Sequence, residues 1–475
     1  MIGELFFGAA LALGQAPAAP AVAPRAMPMP ILQSLPAVNP MPMPPVTSVP
    51  APVASMPAPS SNGTGATPLS LKEGEKLVPN GDGTYRIENG SAGTAPASDE
   101  KKPDEPKPPE KYALMSILED TWLGKRMDKS GISIYGWTEG SFTASTARRS
   151  NSPITTNDFA NDFQLNQNYM VISKAVDASK KEFQLGFRAD LILPGSDARF
   201  TITRGLLDRQ LTSGADGGPR RNPIDLYQGY AEIFAPNVGP EGTTVRIGKF
   251  ATHCEYEVIQ AVDTPFLSRS YTFQYNPFTH TGVWSITPLN ETWTISNGFA
   301  VGSDNFVGNS TNRLMYLGQL KWAPKDGKST ALFNVALTNP KYDTVDAFPI
   351  YNTYNMQYTH KFNDKWSYVF DTAFSHMDEI PGVGSANWYG FVNYLTYQWC
   401  EKVSSTFRAE LFEDSKGVRT GSKGLYTGLT YGVNWSPVKS LLIRPSVRYD
   451  HASDSRPFEG KSDLFTATID AIVRW

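Results

Sequence analysis

The last twelve residues, Leu464 to Trp475, constrain this chain more than any other stretch. Every second residue back from the end is apolar: Trp475, Val473, Ala471, Ile469, Ala467 and Phe465. The residues between them, Arg474, Ile472, Asp470, Thr468 and Thr466, are mostly polar. Side chains alternate across a strand, so this period of two predicts a strand with one greasy face and one largely polar face. A sandwich in water and a sheet in lipid both use such strands, and the rest of the chain has to decide between them.

The same alternation recurs from Gly131 onward. Phe183, Leu185, Phe187, Ala189 and Leu191 oppose Gln184, Arg188 and Asp190. Val403, Phe407, Ala409 and Leu411 oppose Ser404, Thr406, Arg408 and Glu410, and Leu441, Ile443, Val447 and Tyr449 oppose Arg444, Ser446, Arg448 and Asp450. Ile132 to Phe142 and Asn387 to Trp399 are aromatic-rich and ambiguous in facing. Roughly sixteen strands are predicted, each long enough to cross a bilayer when tilted. Short links, such as Pro288-Leu289-Asn290 and Cys400-Glu401-Lys402, alternate with longer ones such as 145–161, 194–224, 251–279 and 451–462. Trp366, Trp399, Trp435 and Trp475 fall beside the short links, as an interfacial girdle would. This regularity predicts an all-β, antiparallel, up-and-down transmembrane barrel over 131–475, with both of its termini on the short-turn, periplasmic side.

Composition excludes other classes. A formal net charge of -3 gives no basic surface for nucleic acid. Mean hydropathy of -0.33 argues against helical spans, and the longest apolar run, Leu5 to Leu13, is too short to cross a bilayer. Neither fact bears on a barrel, where only alternate residues meet lipid. Cys254 and Cys400 lie far apart and are expected to be unconnected, and no metal site or cofactor is expected. The five histidines, His253, His280, His360, His376 and His451, are scattered without a nucleophile motif, so no enzyme is expected.

The N-terminal part reads differently. Residues 1–14 resemble a secretory signal peptide, with an apolar core and small residues at its end, although Lys or Arg is missing from the front. Residues 15–110 hold 21 of the 37 prolines and too little apolar surface to offset ordering entropy, so a disordered periplasmic linker is expected. Within it, Lys76 to Ile87 carries turn pairs that suit a small hairpin. A short amphipathic helix is predicted over 111–130, with Tyr112, Met115, Leu118 and Trp122 on one face.

Closing sixteen strands leaves a lumen too wide for side chains to fill, so the polar rows are expected to line water. They offer Arg188, Asp190, Arg246, Lys321, Arg408, Glu410, Arg444, Arg448, Asp470 and Arg474, a positive excess that predicts a mild anion preference. Cross-strand ion pairing explains the same residues without selectivity. The link 251–279 is rich in rings where a flexible loop would need none. It is expected to fold inward, bringing Glu255, Glu257, Asp263 and Arg269 across a narrowed eyelet, with Lys249 and His280 at its ends. The alternative is that its rings pack and its charges satisfy one another.

The terminal strand ending in Trp475 resembles the closing strand of bacterial outer-membrane barrels. Gly248-Lys249-Phe250, Tyr256-Glu257, Ser268-Arg269-Ser270 and Tyr275-Asn276-Pro277-Phe278-Thr279-His280-Thr281-Gly282 together resemble the OmpL-like β-barrel porin family. Trp122-Leu123-Gly124-Lys125 and Tyr135-Gly136-Trp137 are similar to it as well. The resemblance covers about 115–475 and implies an outer-membrane porin for small hydrophilic solutes, in contact with outer-membrane lipid. By analogy with general porins it suggests a homotrimer. A structural or adhesive barrel anchored to the cell wall through the proline-rich tether is the competing reading.

Overall fold

Lipid offers a backbone amide no partner, so a sheet with an apolar outer face must close on itself. The computed structural model describes residues 75–79, 85–89, 113–215, 217–306, 314–338 and 351–475, and its long strands do close. β1 (Glu75–Pro79) and β2 (Tyr85–Asn89) form a separate antiparallel pair where the hairpin is expected, with Leu77 opposite Ile87. The apolar leader, the rest of the proline-rich tether and Tyr112 lie outside the described residues.

The barrel begins with β3 (Ser133–Ser145), β4 (Asp162–Lys174), β5 (Gln184–Leu193), β6 (Asp225–Ala235), β7 (Thr243–Ala251) and β8 (Thr279–Pro288). It continues through β9 (Trp293–Ser303), β10 (Met315–Trp322), β11 (Ser329–Leu337), β12 (Asn352–Lys361) and β13 (Trp366–Ile380). β14 (Gly384–Cys400), β15 (Val403–Asp414), β16 (Gly424–Val438), β17 (Leu441–Ala452) and β18 (Asp463–Arg474) complete it. Each strand pairs antiparallel with its neighbours in the chain, and β18 returns to β3, so the sixteen-strand sheet has no edge.

The seam explains the terminal tryptophan. Trp475 exchanges two backbone hydrogen bonds with Gly136, at 2.9 and 3.0 Å, and its indole Nε1 donates to Thr138 Oγ1 at 3.2 Å. A Cβ at Gly136 would sit 2.5 Å from the indole ring, so only glycine leaves space for it. The greasy row of β18 faces outward as the alternation requires: Phe465, Ile469 and Val473 are exposed, while Thr466, Thr468, Asp470 and Ile472 are buried. The aromatic-rich strands resolve the same way, with Trp137, Glu139, Trp388 and Tyr394 buried and Tyr389, Phe391 and Leu395 exposed.

The predicted helix is two helices. Ala113–Leu118 ends where the Thr121 hydroxyl donates to the Leu118 carbonyl at 2.6 Å, and Thr121 then caps Trp122–Ser130 by accepting from Gly124 N at 3.1 Å. The expected single apolar face is broken at that turn: Met115 and Met127 are buried, but Trp122 is 75% exposed. A capping residue inside the periodic run outweighs the periodicity.

Candidate functional site

Residues 252–278, between β7 and β8, run inside the barrel. Ala261–Asp263 forms a turn of 3-10 helix and Tyr271–Tyr275 a helical turn, capped by Ser270, which accepts from Phe273 N at 3.2 Å. All five residues of that helical turn are buried. In a sixteen-strand ring β5 and β13 are opposite, and the segment touches both. Tyr256 N donates to Asp371 on β13 at 3.4 Å, and the Gln260 amide donates to Asp190 on β5 at 3.3 Å and to Tyr169 on β4 at 3.1 Å. Rings and aliphatics seat it: Cys254 against Phe250, Trp284, Met315 and Leu317, Tyr256 against Val392 and Tyr394, and Ile259 against Trp137 and Tyr169.

Its carbonyls are held by arginines. Arg444 on β17 donates to Ala261 and Thr264 carbonyls, both at 2.7 Å, and pairs with Glu139 at 2.7 Å and Asp470 at 2.8 Å. Arg408 on β15 reaches the Ser268 carbonyl at 2.8 Å and pairs with Glu257 at 2.9 Å. Arg448 donates to the Arg269 carbonyl at 2.8 Å and pairs with Asp450 at 2.7 Å and Glu410 at 3.1 Å. Arg269, within the segment, donates to its own carbonyls at Val258, Ile259, Phe266 and Leu267. Register makes this possible. Arg408, Thr430 and Arg448 lie level across β15, β16 and β17. One step along, Gly428 separates Glu410 from Asp450, and its missing side chain lets Arg448 reach both. A Cβ there would come within 2.6 Å of the Glu410 side chain.

Glycine also makes room for the segment itself. A Cβ at Gly390 would lie 2.4 Å from Thr272 Oγ1, and one at Gly432 would lie 3.0 Å from the Phe266 ring. At the long-loop end Tyr271 and Tyr275 join Ile154, Tyr351, Trp388, Phe412, Tyr426 and Phe458 in one apolar cluster. At the short-turn end two chambers of about 270 and 280 Å³ remain, and both are walled in part by Val262 and Asp263 at the segment's tip.

Comparison with known families places this architecture. The model of the family described as "Putative beta-barrel porin-2, OmpL-like" matches residues 131–475, the whole of the barrel. The chain belongs to this family. It is therefore a porin-like barrel of the outer membrane. Among solved structures it is similar to OprB of Pseudomonas putida, at 10% identity and TM-score 0.48, over 75% of this chain and 97% of that one. It is also similar to the outer membrane channel DcaP of Acinetobacter baumannii, at 10% identity and TM-score 0.47, over 72% and 97%. No curated protein matches it in sequence.

In this family member the residues expected on a wet wall divide into two groups. Arg408, Glu410, Arg444 and Arg448 point inward but lie beneath the segment, at no more than 2% exposure, and Asp470 is buried with them. They hold the segment rather than line water, a correction to the reading from alternation. The three buried wall arginines, Arg408, Arg444 and Arg448, pair with Glu139, Glu257, Glu410, Asp450 and Asp470, so each of these guanidinium groups meets at least one carboxylate. Arg188, Arg246, Lys321 and Arg474 keep some exposure. Arg188 is nevertheless bound twice to buried Asp190, at 2.6 and 2.9 Å, and Arg246 pairs with Glu232 at 2.9 Å.

Of the eyelet candidates, only Asp263 is exposed. Glu255 is buried and accepts from Asn276 Nδ2 at 2.6 Å, while Glu257 and Arg269 are enclosed as described. Lys249 donates to the Leu226 carbonyl at 2.6 Å with Asp225 3.6 Å away, and His280 sits against Thr252 and the Gly302 carbonyl. Neither lies within the segment, and both are buried. The alternation did not single out Glu139, Gln167, Asp371 or Asn276, all of which anchor the segment. Glu139 lay in an ambiguous aromatic strand, and the bonds that join Gln167 to Ile259 and Ala261, and Asn276 to Ser375 and Trp388, link residues far apart in the chain. Cys254 is buried, Cys400 is exposed, and both are free.

Proposed function

We propose that the chain forms an outer-membrane channel for passive diffusion of small hydrophilic solutes or ions, narrowed by residues 252–278, with both barrel termini facing the periplasm. One observation carries this reading: a polar-walled, sixteen-strand closure is crossed by a segment anchored on opposite walls, and small chambers remain beside its tip. A wide barrel crossed in this way admits only small solutes. The burial of the wall arginines supports a rigid constriction over one that selects by net charge. The apolar cluster at the long-loop end favours the alternative, a plugged barrel tethered to the wall.

Reconstitution in planar bilayers separates the two. The channel reading expects steady, ohmic steps at neutral pH from the full-length protein, and larger steps from a variant lacking Val258–Leu267. A silent wild-type barrel whose deletion variant conducts would establish the plug instead.

A further inference from the structure

We propose that the larger of the two chambers binds a neutral polyhydroxylated solute of about monosaccharide size. The proposal deepens the channel reading and rests on it. The chamber is an open recess of about 280 Å³ between the Val262–Pro265 tip and the inward rows of β14, β15 and β16. Tyr256 and Tyr394 form one wall, their ring centroids 5.0 Å apart and tilted by 54°. Thr396, Ser404, Thr406 and Asn434 supply hydroxyl and amide groups to the other, the Thr396 and Thr406 hydroxyls sharing a hydrogen bond of 2.9 Å that leaves each with further bonding capacity.

Two of these groups are unspent. Tyr394 is 1% exposed, yet its hydroxyl makes no hydrogen bond among the described residues, and neither does the buried Asn434 Oδ1. Buried polar atoms are normally paired, so their lack of a protein partner points to a ligand group. A sugar hydroxyl both donates and accepts and would satisfy either atom, while the tyrosine rings and Pro265 present apolar surface to its C–H faces. Charge argues against an anion, because Asp263 is the one charged side chain on this wall. The smaller chamber does contain Arg188 and Arg474, but the Arg188 guanidinium is already bound twice by Asp190.

Saturation-transfer NMR on the full-length protein in detergent tests this, with D-glucose as the probe and lactate and inorganic phosphate as charged comparisons. Saturable glucose binding in the millimolar range is expected, with weaker signals from both anions. Tyr394→Phe, which keeps the ring, and Thr406→Val should each weaken glucose binding by about 3- to 10-fold. Absence of saturable glucose binding, tighter binding of either anion, or indifference to both substitutions would overturn the proposal. Because binding is read at equilibrium, steady conductance without glucose binding removes this inference alone. Glucose binding without conductance removes the channel reading and leaves the site.

Discussion

At the level of single residues, the arginine-to-carbonyl contacts decide where the inward segment sits. Arg444 joins the tip to the wall: two carbonyls of the tip and two carboxylates meet one guanidinium. Truncating one member of a buried ion pair leaves the others uncompensated, at a cost of about 3–5 kcal/mol. Arg444→Met is therefore expected to lower the thermal transition of the detergent-solubilised barrel and to increase both conductance and current noise, read by calorimetry and planar-bilayer recording. Unchanged values would show that the tip is held by packing alone. Outside the membrane, Glu459 ties two long loops together by accepting from the backbone N–H groups of Arg148, Arg149 and Ser150 at 2.7, 2.9 and 3.1 Å. Those bonds hold its carboxyl below the usual glutamate range. A depressed folded-state value means the tie is fully present above an unfolded pKa of about 4.3 and is lost as pH falls through the lowered one. Hydrogen exchange at residues 148–150 should lose protection on acidification in that window, and Glu459→Gln should abolish the step.

At the level of elements, strands and turns were legible because their period is local. The alternation of short and longer links marks out about sixteen strands without reference to their pairing, since each turn type depends on a few neighbouring residues. The helix was legible in extent but not in continuity, because the periodic run passes through Thr121, whose hydroxyl donates to the Leu118 carbonyl and accepts from Gly124 N to cap a second helix. The inward segment was legible as a ring-rich link, while its path was not. Its course depends on gaps in the wall, and a glycine in a strand does not announce what fills its space. Gly390→Val tests this: the added side chain would meet Thr272 and Phe412 and push the Tyr271–Tyr275 turn off β14. Lower protection of residues 270–276 in hydrogen exchange, with the barrel still folded, is the expected result. Unaltered protection would mean that the gap is incidental.

For the whole molecule, orientation is the property with a direct test. Cys400 lies exposed beside the short β14–β15 turn, and Cys254 is buried. If the short turns face the periplasm, a bulky polyethylene-glycol maleimide should leave intact cells unlabelled and modify Cys400 after the outer membrane is permeabilised. Labelling of intact cells would invert the barrel. The sequence by itself determined the closed sheet, its outward and inward rows and its approximate strand number, because period-two alternation and short turns are properties of neighbouring residues and lipid forbids an open edge. Only the tertiary structure decided which inward charges meet water. Arg408, Arg444 and Arg448 look like pore-lining residues along their own strands, and a segment more than 130 positions away covers them. Long-range burial of this kind arises when the barrel closes around the segment and brings carbonyls within reach of guanidinium groups, a distance that no local pattern encodes.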